Sequence, residues 1–202
     1  MSPEQFDAFA QQGYNRIPVY REILADLETP LSTYLKLARG PYSYFLESVQ
    51  GGEKWGRYSI IGLPCRTLLK VDGSQLAVET DGQVTESLET ADPFVFIEQY
   101  QQRFKVPELE ELPRFNGGLV GYFAYDSVRY VEKKVAHSAP EDTVNTPDII
   151  LMLSEEVVVL DNLRGKLMLM VYQDPSVENA YGHALARLDE LAQKLDQQLS
   201  VK

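Results

Sequence analysis

The sequence predicts an α+β fold built mostly on antiparallel sheet, and three observations carry that prediction. Strand-like runs come in groups joined by short turn signals, among them Asp72-Gly73 and Asp81-Gly82. Segments with helix-start signals and helical spacing of apolar residues lie between those groups. The regular alternation of strand and helix that marks a parallel sheet does not occur. With 202 residues, 44% of them hydrophobic and 10% aromatic, the chain is long enough for one substantial core, so the expected count is a single domain over residues 1–202.

Each element has its own signal. Ser2-Pro3-Glu4-Gln5 has the form of a capping box with proline at the first helical position, and that helix ends near Gly13. Residues 17–23 read as a strand, and Pro18, which cannot donate to a ladder, places it at a sheet edge. Thr29-Pro30 starts a second helix with Leu31, Tyr34, Leu35 and Ala38 on one face, stopped by Gly40-Pro41. Strands follow at 42–49, 57–63, 66–71 and 75–80, expected to pair as one antiparallel meander.

Asp92-Pro93 opens a helix carrying Phe94, Ile97, Tyr100 and Phe104, which closes at Val106-Pro107. Residues 119–125 form a strand, and Asp126-Ser127 caps a brief helix through Tyr130. A polar loop precedes one long strand over 149–160, which the turn 162–165 folds back into a strand over 166–172. Asp174-Pro175 then caps the longest helix, where Val177, Tyr181, Ala184, Leu188, Leu191, Leu195 and Leu199 make one apolar stripe suited to a core.

Composition narrows the function. A net charge of −11 repels nucleic acid and anionic membranes, so neither is expected as a partner. A single Cys65 permits no internal disulfide, and the absence of a basic region followed by an apolar stretch at the N-terminus makes the cytoplasm the expected location. His137 and His183 lie far apart, with no Cys or acidic cluster at ligand spacing, so no metal site is expected. No catalytic constellation of nucleophile and base, and no phosphate-binding glycine loop, appears either.

One stretch carries chemistry. A strand-like run ends in Leu46-Glu47-Ser48, a glycine-containing connection reverses the chain, and a second run opens as Arg57-Tyr58-Ser59. These groups suit an amino-acid ligand: Glu47 for an ammonium, Arg57 for a carboxylate, Ser48 for either, and apolar neighbours for a side chain. An ordinary hairpin with a surface Glu and Arg has the same sequence pattern. Because side chains alternate along a strand, Glu47 and Ser48 serve one ligand only where the strand ends or at the sheet edge. Tyr58 and Ser59 suit a core as well as a site. Trp55, in the connection, suits either a lid or a surface anchor.

Leu46-Glu47-Ser48 followed by Gly56-Arg57-Tyr58-Ser59-Ile60-Ile61-Gly62 is similar to the N-terminal region of the anthranilate synthase component I family. Gly117-Gly118-Leu119-Val120-Gly121-Tyr122-Phe123-Ala124-Tyr125-Asp126 resembles that family's Gly-Gly-x-x-Gly-Tyr-x-x-Tyr-Asp signature, and Pro147-Asp148 before an apolar strand resembles the segment after it. The resemblance implies sheets packed on each other with helices outside, and a single N-terminal regulatory domain over 1–202. It also implies feedback binding of L-tryptophan at Leu46, Glu47 and Ser48, with a basic residue near Arg57.

The family enzyme is a lyase of tryptophan biosynthesis that converts chorismate and ammonia to anthranilate and pyruvate. Its chorismate-binding domain, with the Mg2+-binding carboxylates and acid–base residues, lies downstream of this chain. The expectation is therefore no catalytic residue and no cofactor here, with that domain and a glutamine amidotransferase subunit (component II) as partners. Gly117, Gly118, Gly121 and Tyr122 suit tight backbone approach or contact with the catalytic domain. Two other readings share these residues: the N-terminal domain of aminodeoxychorismate synthase component I, and a free-standing amino-acid-binding module.

Overall fold

A computed structural model describes residues 1–47, 56–132, 134–135 and 145–199. Ser48, Trp55 and His137 lie outside the described residues. The chain forms two compact units, the first from residues 1–65, 104–117 and 154–202, the second from 66–103 and 118–153.

The first unit holds a five-stranded antiparallel sheet. Its strands are β1 (Ile17–Leu24), β2 (Tyr44–Glu47), β3 (Tyr58–Gly62), β9 (Glu156–Asp161) and β10 (Lys166–Gln173), in the order β1-β10-β9-β3-β2. The strand containing Pro18 is at an edge, as its missing N–H requires. One sheet face presents Ile17, Val19, Ile61, Leu63, Val158, Leu160, Leu167, Leu169 and Val171 to a core shared with three helices. These are α1 (Pro3–Gln11), α2 (Pro30–Leu37) and α4 (Ala180–Leu195), which contribute Phe6, Leu37, Ala184, Leu188, Leu191 and Leu195. On the other face Val157, Val159 and Met170 pack with Tyr20, Tyr58, Ile60, Leu112 and Met168.

The predicted capping box of the first helix forms, and the second helix has one as well. Ser2 and Gln5 exchange hydrogen bonds at the start of α1, and Thr29 and Ser32 do so at the start of α2, each with proline at the first turn.

The second unit holds the other antiparallel sheet, in the order β6-β5-β4-β8-β7. Its strands are β4 (Thr67–Asp72), β5 (Gln75–Thr80), β6 (Gln83–Glu89), β7 (Gly118–Phe123) and β8 (Ile149–Ser154). Helix α3 (Pro93–Gln102) starts at Asp92, whose carboxylate accepts from the Phe94 N–H, and the Phe94 ring stacks on Phe123.

Four expectations need correction. The strands from 42 to 80 are not one meander: β3 and β4 belong to different sheets, separated by Leu63-Pro64-Cys65-Arg66. The run 149–160 is two strands, also in different sheets, with the change of sheet at Glu155. The brief helix Tyr125–Tyr130 is a 3-10 helix with no side-chain cap, because its N-cap position falls on Ala124; Asp126 lies within the first turn and pairs with Arg129. Helix α4 starts at Ala180, not at Pro175. Asp174 instead closes a turn onto Ser176, and Asn179, at φ 53°, enters the helix in the left-handed conformation. Strand β6, absent from the sequence reading, extends the Asp81-Gly82 hairpin.

Candidate functional site

The β2–β3 hairpin sets the geometry of the predicted site. Leu46 stands opposite Ile60 and Glu47 opposite Ser59. Cross-strand partners share a sheet face, so Glu47 and Ser59 lie on the helix-covered face of Phe45 and Ile61, and Leu46 lies on the opposite face with Tyr58 and Ile60. Leu46 and Glu47 are both exposed, at the end of an edge strand, and the Glu47 carboxylate has no hydrogen-bond partner among the described residues. Ser59 is fully buried, and its hydroxyl accepts from the Asn162 side-chain amide at 3.1 Å.

Arg57 does not face Glu47. Its guanidinium lies 4.8 Å from the Tyr58 ring centroid and donates to Asp161, Nε at 3.1 and 3.0 Å to the two carboxylate oxygens and Nη2 at 2.5 Å to Oδ2. Asp161 pairs with Tyr58 across the β3–β9 ladder, so this fork lies on the Tyr58 face. The Asp161 carboxylate also accepts from the N–H groups of Leu163 and Arg164, each at 3.2 Å. Burial pushes that carboxyl upward, but the Arg57 hydrogen bonds and charge and the two backbone donors outweigh it and hold it below its ordinary value. In return, the hydrogen bonds from Arg57 to Asp161 raise the guanidinium further.

A groove of about 270 Å³ opens on this face of the first unit. Arg57, Tyr58 and Asp161 line it with Val159, Met168 and Leu112, and Glu110, Glu111, Arg164 and the Glu22–Lys166 ion pair surround it. Of the predicted residues, the structure thus brings Glu47 to Ser59, and Arg57 to Tyr58, at one end of one hairpin but on two faces. Sequence reasoning took the turn 162–165 for a simple reversal and missed Asp161 and Asn162, which hold that end. The signal was the Asp-Asn pair itself, but its partners lie about a hundred residues earlier.

The glycine block is built for close approach. A Cβ on Gly121 would sit 1.8 Å from the Ile150 carbonyl oxygen, so β7 meets β8 at a distance only glycine allows. Gly118 has φ 114°, a backbone that other residues rarely adopt. A Cβ on Gly117 would lie 3.0 Å from the Ser154 carbonyl oxygen. Tyr122 is 41% exposed and donates to the Pro147 carbonyl at 2.9 Å. Asp148, of the Pro147-Asp148 segment, accepts from the Gly73 N–H at 3.1 Å and from the Tyr130 hydroxyl at 2.5 Å, locking the β4–β5 turn.

No protein-family model matches the sequence. Similarity to individual proteins is extensive. A Pseudomonas aeruginosa protein named anthranilate synthase component 1 is 56% identical over 200 residues, which cover 99% of this chain and 41% of that protein. The chain is homologous to the N-terminal part of anthranilate synthase component I. Proteins of that name from Neisseria gonorrhoeae and Aquifex aeolicus are 49% and 40% identical, over 100% and 91% of this chain. A crystal structure of anthranilate synthase component I from Streptococcus pneumoniae superposes with a TM-score of 0.55 over 88% of this chain, at 26% identity. The chain spans about two fifths of the length of these anthranilate synthase component I relatives.

Among the described residues no group of three or more His, Cys, Asp or Glu side chains is placed to hold a metal ion. Among them, too, no helix is long and apolar enough to cross a membrane.

Proposed function

We propose that residues 1–202 act as the N-terminal, tryptophan-binding feedback-regulatory domain of anthranilate synthase component I. The observation that carries the proposal is the exposed Glu47 carboxylate, without a hydrogen-bond partner among the described residues, at the end of an edge strand and beside Ser59, in a chain of which 99% aligns with an anthranilate synthase component 1. On this reading L-tryptophan sits at the end of the β2–β3 hairpin, where both sheet faces can be reached. Glu47 and Ser48 receive the ammonium. The Arg57 N–H groups not spent on Asp161 receive the carboxylate. Leu46 and Tyr58 offer apolar surface, and Ser59 supports the strand from beneath.

The rest of the full-length protein supplies the chorismate site and Mg2+, and a glutamine amidotransferase subunit supplies ammonia. Gly117, Gly118, Gly121 and Tyr122 lie on the side that meets the chorismate-binding domain. The protein works in the cytoplasm, without nucleic acid or membrane as partner.

Two assays test this reading. The 202-residue chain, given chorismate, Mg2+ and ammonium, makes no anthranilate above a buffer control. In the full-length enzyme, Ser48→Ala and Glu47→Gln each raise the tryptophan concentration for half-inhibition several-fold, because a charge-assisted hydrogen bond is lost or left unpaired, while the rate without tryptophan stays near wild type. Unchanged inhibition curves in both variants would remove the site.

A further inference from the structure

We infer that the Asp161-Asn162 turn is a positioning device for the ligand end of the β2–β3 hairpin, and that it sets how tightly that end holds an amino acid. The inference rests on the proposed function. Two consecutive residues of one turn make six hydrogen bonds to a four-residue stretch of β3 and its approach. The Asp161 carboxylate takes the Arg57 fork through Nε and Nη2. The Asn162 N–H donates to the Arg57 carbonyl at 2.8 Å, so Arg57 is fixed at its backbone and its side chain at once. The Asn162 amide then spans the Gly56 carbonyl at 3.4 Å and the Ser59 hydroxyl at 3.1 Å.

The turn is itself anchored. Leu163 and Arg164 N–H groups point at Asp161 Oδ1, the Gly165 N–H donates to the Asp161 carbonyl at 2.9 Å, and the Asp161 side chain is only 13% exposed.

The chemistry follows from the guanidinium. It carries five N–H donors, and Asp161 engages only Nε and one edge of Nη2. The Nη1 group, which has no hydrogen-bond partner among the described residues, and the remaining Nη2 proton are thereby aimed in fixed directions. An arginine held this way meets a ligand carboxylate without first losing side-chain entropy. Ser59, the cross-strand partner of Glu47, is fixed by the other residue of the same turn. The two sides of the proposed amino-acid site are therefore coupled through one dipeptide. Asp161 and Asn162 touch no ligand. They act through Arg57 and Ser59.

The test uses the full-length enzyme and L-tryptophan, comparing wild type with Asp161→Ala, Asp161→Asn and Arg187→Ala. Arg187 pairs with Glu156 and Glu190 on the helix side, away from the hairpin end, and reports the effect of lost stability alone. Asp161→Ala is expected to raise the tryptophan dissociation constant, measured by calorimetry below the melting temperature, at least tenfold. Asp161→Asn, which keeps an oxygen acceptor, raises it less. In both, kcat and KM for chorismate without tryptophan stay within twofold of wild type, and Arg187→Ala leaves tryptophan affinity unchanged at a comparable loss of melting temperature.

Tryptophan affinity within twofold of wild type in Asp161→Ala would overturn the inference, as would an equal weakening in Arg187→Ala. If Asp161→Ala does not fold, Asp161→Asn decides on the same criterion. A wild-type enzyme that neither binds nor responds to tryptophan would instead overturn the proposed function, whatever the variants do.

Discussion

Tyr44 stands on β2 two residues before Leu46, and its hydroxyl meets the buried Ser154 hydroxyl at 2.8 Å. Burial, more than any charge, pushes this phenol up to about 12, so it stays neutral and hydrogen-bonded across the usable pH range. Tyr44→Phe should cost about 1–2 kcal/mol, because the Ser154 hydroxyl loses its partner in a buried place, and the urea midpoint should fall with an unchanged slope. The ring has a second role. A Cβ on Gly62, opposite Tyr44, would lie 1.9 Å from a Tyr44 ring carbon, so the aromatic lies flat on a glycine. Gly62→Ala forces that ring out of its buried position and should destabilise more than Tyr44→Phe in the same titration; the reverse order would show that the hydroxyl pair, not the ring contact, holds β2.

Among the elements, α4 gives a pH-dependent expectation. Glu190 sits one turn after Arg187 and one turn before Lys194, and hydrogen bonds from Lys194 first, and then Arg187, hold its carboxyl down from 4.5 to about 2. A carboxyl lowered in the folded state adds stability above its unfolded value and loses it as the pH falls toward the folded one. Acidification from 4.5 to about 2 should therefore weaken the first unit, and Glu190→Gln should flatten thermal stability against pH across that window. An unchanged slope would mean that these exposed pairs contribute nothing measurable.

Local signals of this kind were legible in the sequence wherever partner and residue were neighbours. Ser2 with Gln5, the Thr29-Pro30 helix start and the Asp72-Gly73 turn announce themselves. The strand break at Glu155 did not, because eleven of the twelve residues from 149 to 160 have strand character or burial on both sides of it. Yet Ser154-Glu155-Glu156 is the one polar interruption in that run, and there the chain changes sheets. The start of α4 was misplaced because Asp174-Pro175 looks like a cap, whereas Asp174 spends its carboxylate on Ser176 and Arg16. At the site, alternation along β2 correctly put Leu46 and Glu47 on opposite faces. The commitment of Arg57 to Asp161 was invisible because it joins residues 104 apart.

At the scale of the molecule, neither unit is continuous in sequence, and the centre of the first sheet comes from late in the chain. Strands β9 and β10 separate β1 from β3 and β2. A fragment of residues 1–103 therefore contains β1 and the β2–β3 hairpin without the strands that join them. It should show no cooperative thermal transition by circular dichroism under conditions where the 202-residue chain melts sharply. A sharp transition in the fragment would show that α1, α2 and these edge strands assemble without β9 and β10.

The same ordering sets a schedule for synthesis. The second unit is complete when residue 153 has left the ribosome, but Ile17, Val19, Ile61 and Leu63 have no sheet to join until residues 156–173 follow. At elongation rates of about 5–20 residues per second, the nascent chain carries that apolar surface uncovered for on the order of ten seconds after β3 emerges. This interval is long enough for a holding chaperone to bind, and the later half of the messenger, not the earlier, governs when the hairpin that carries Glu47 acquires its permanent neighbours.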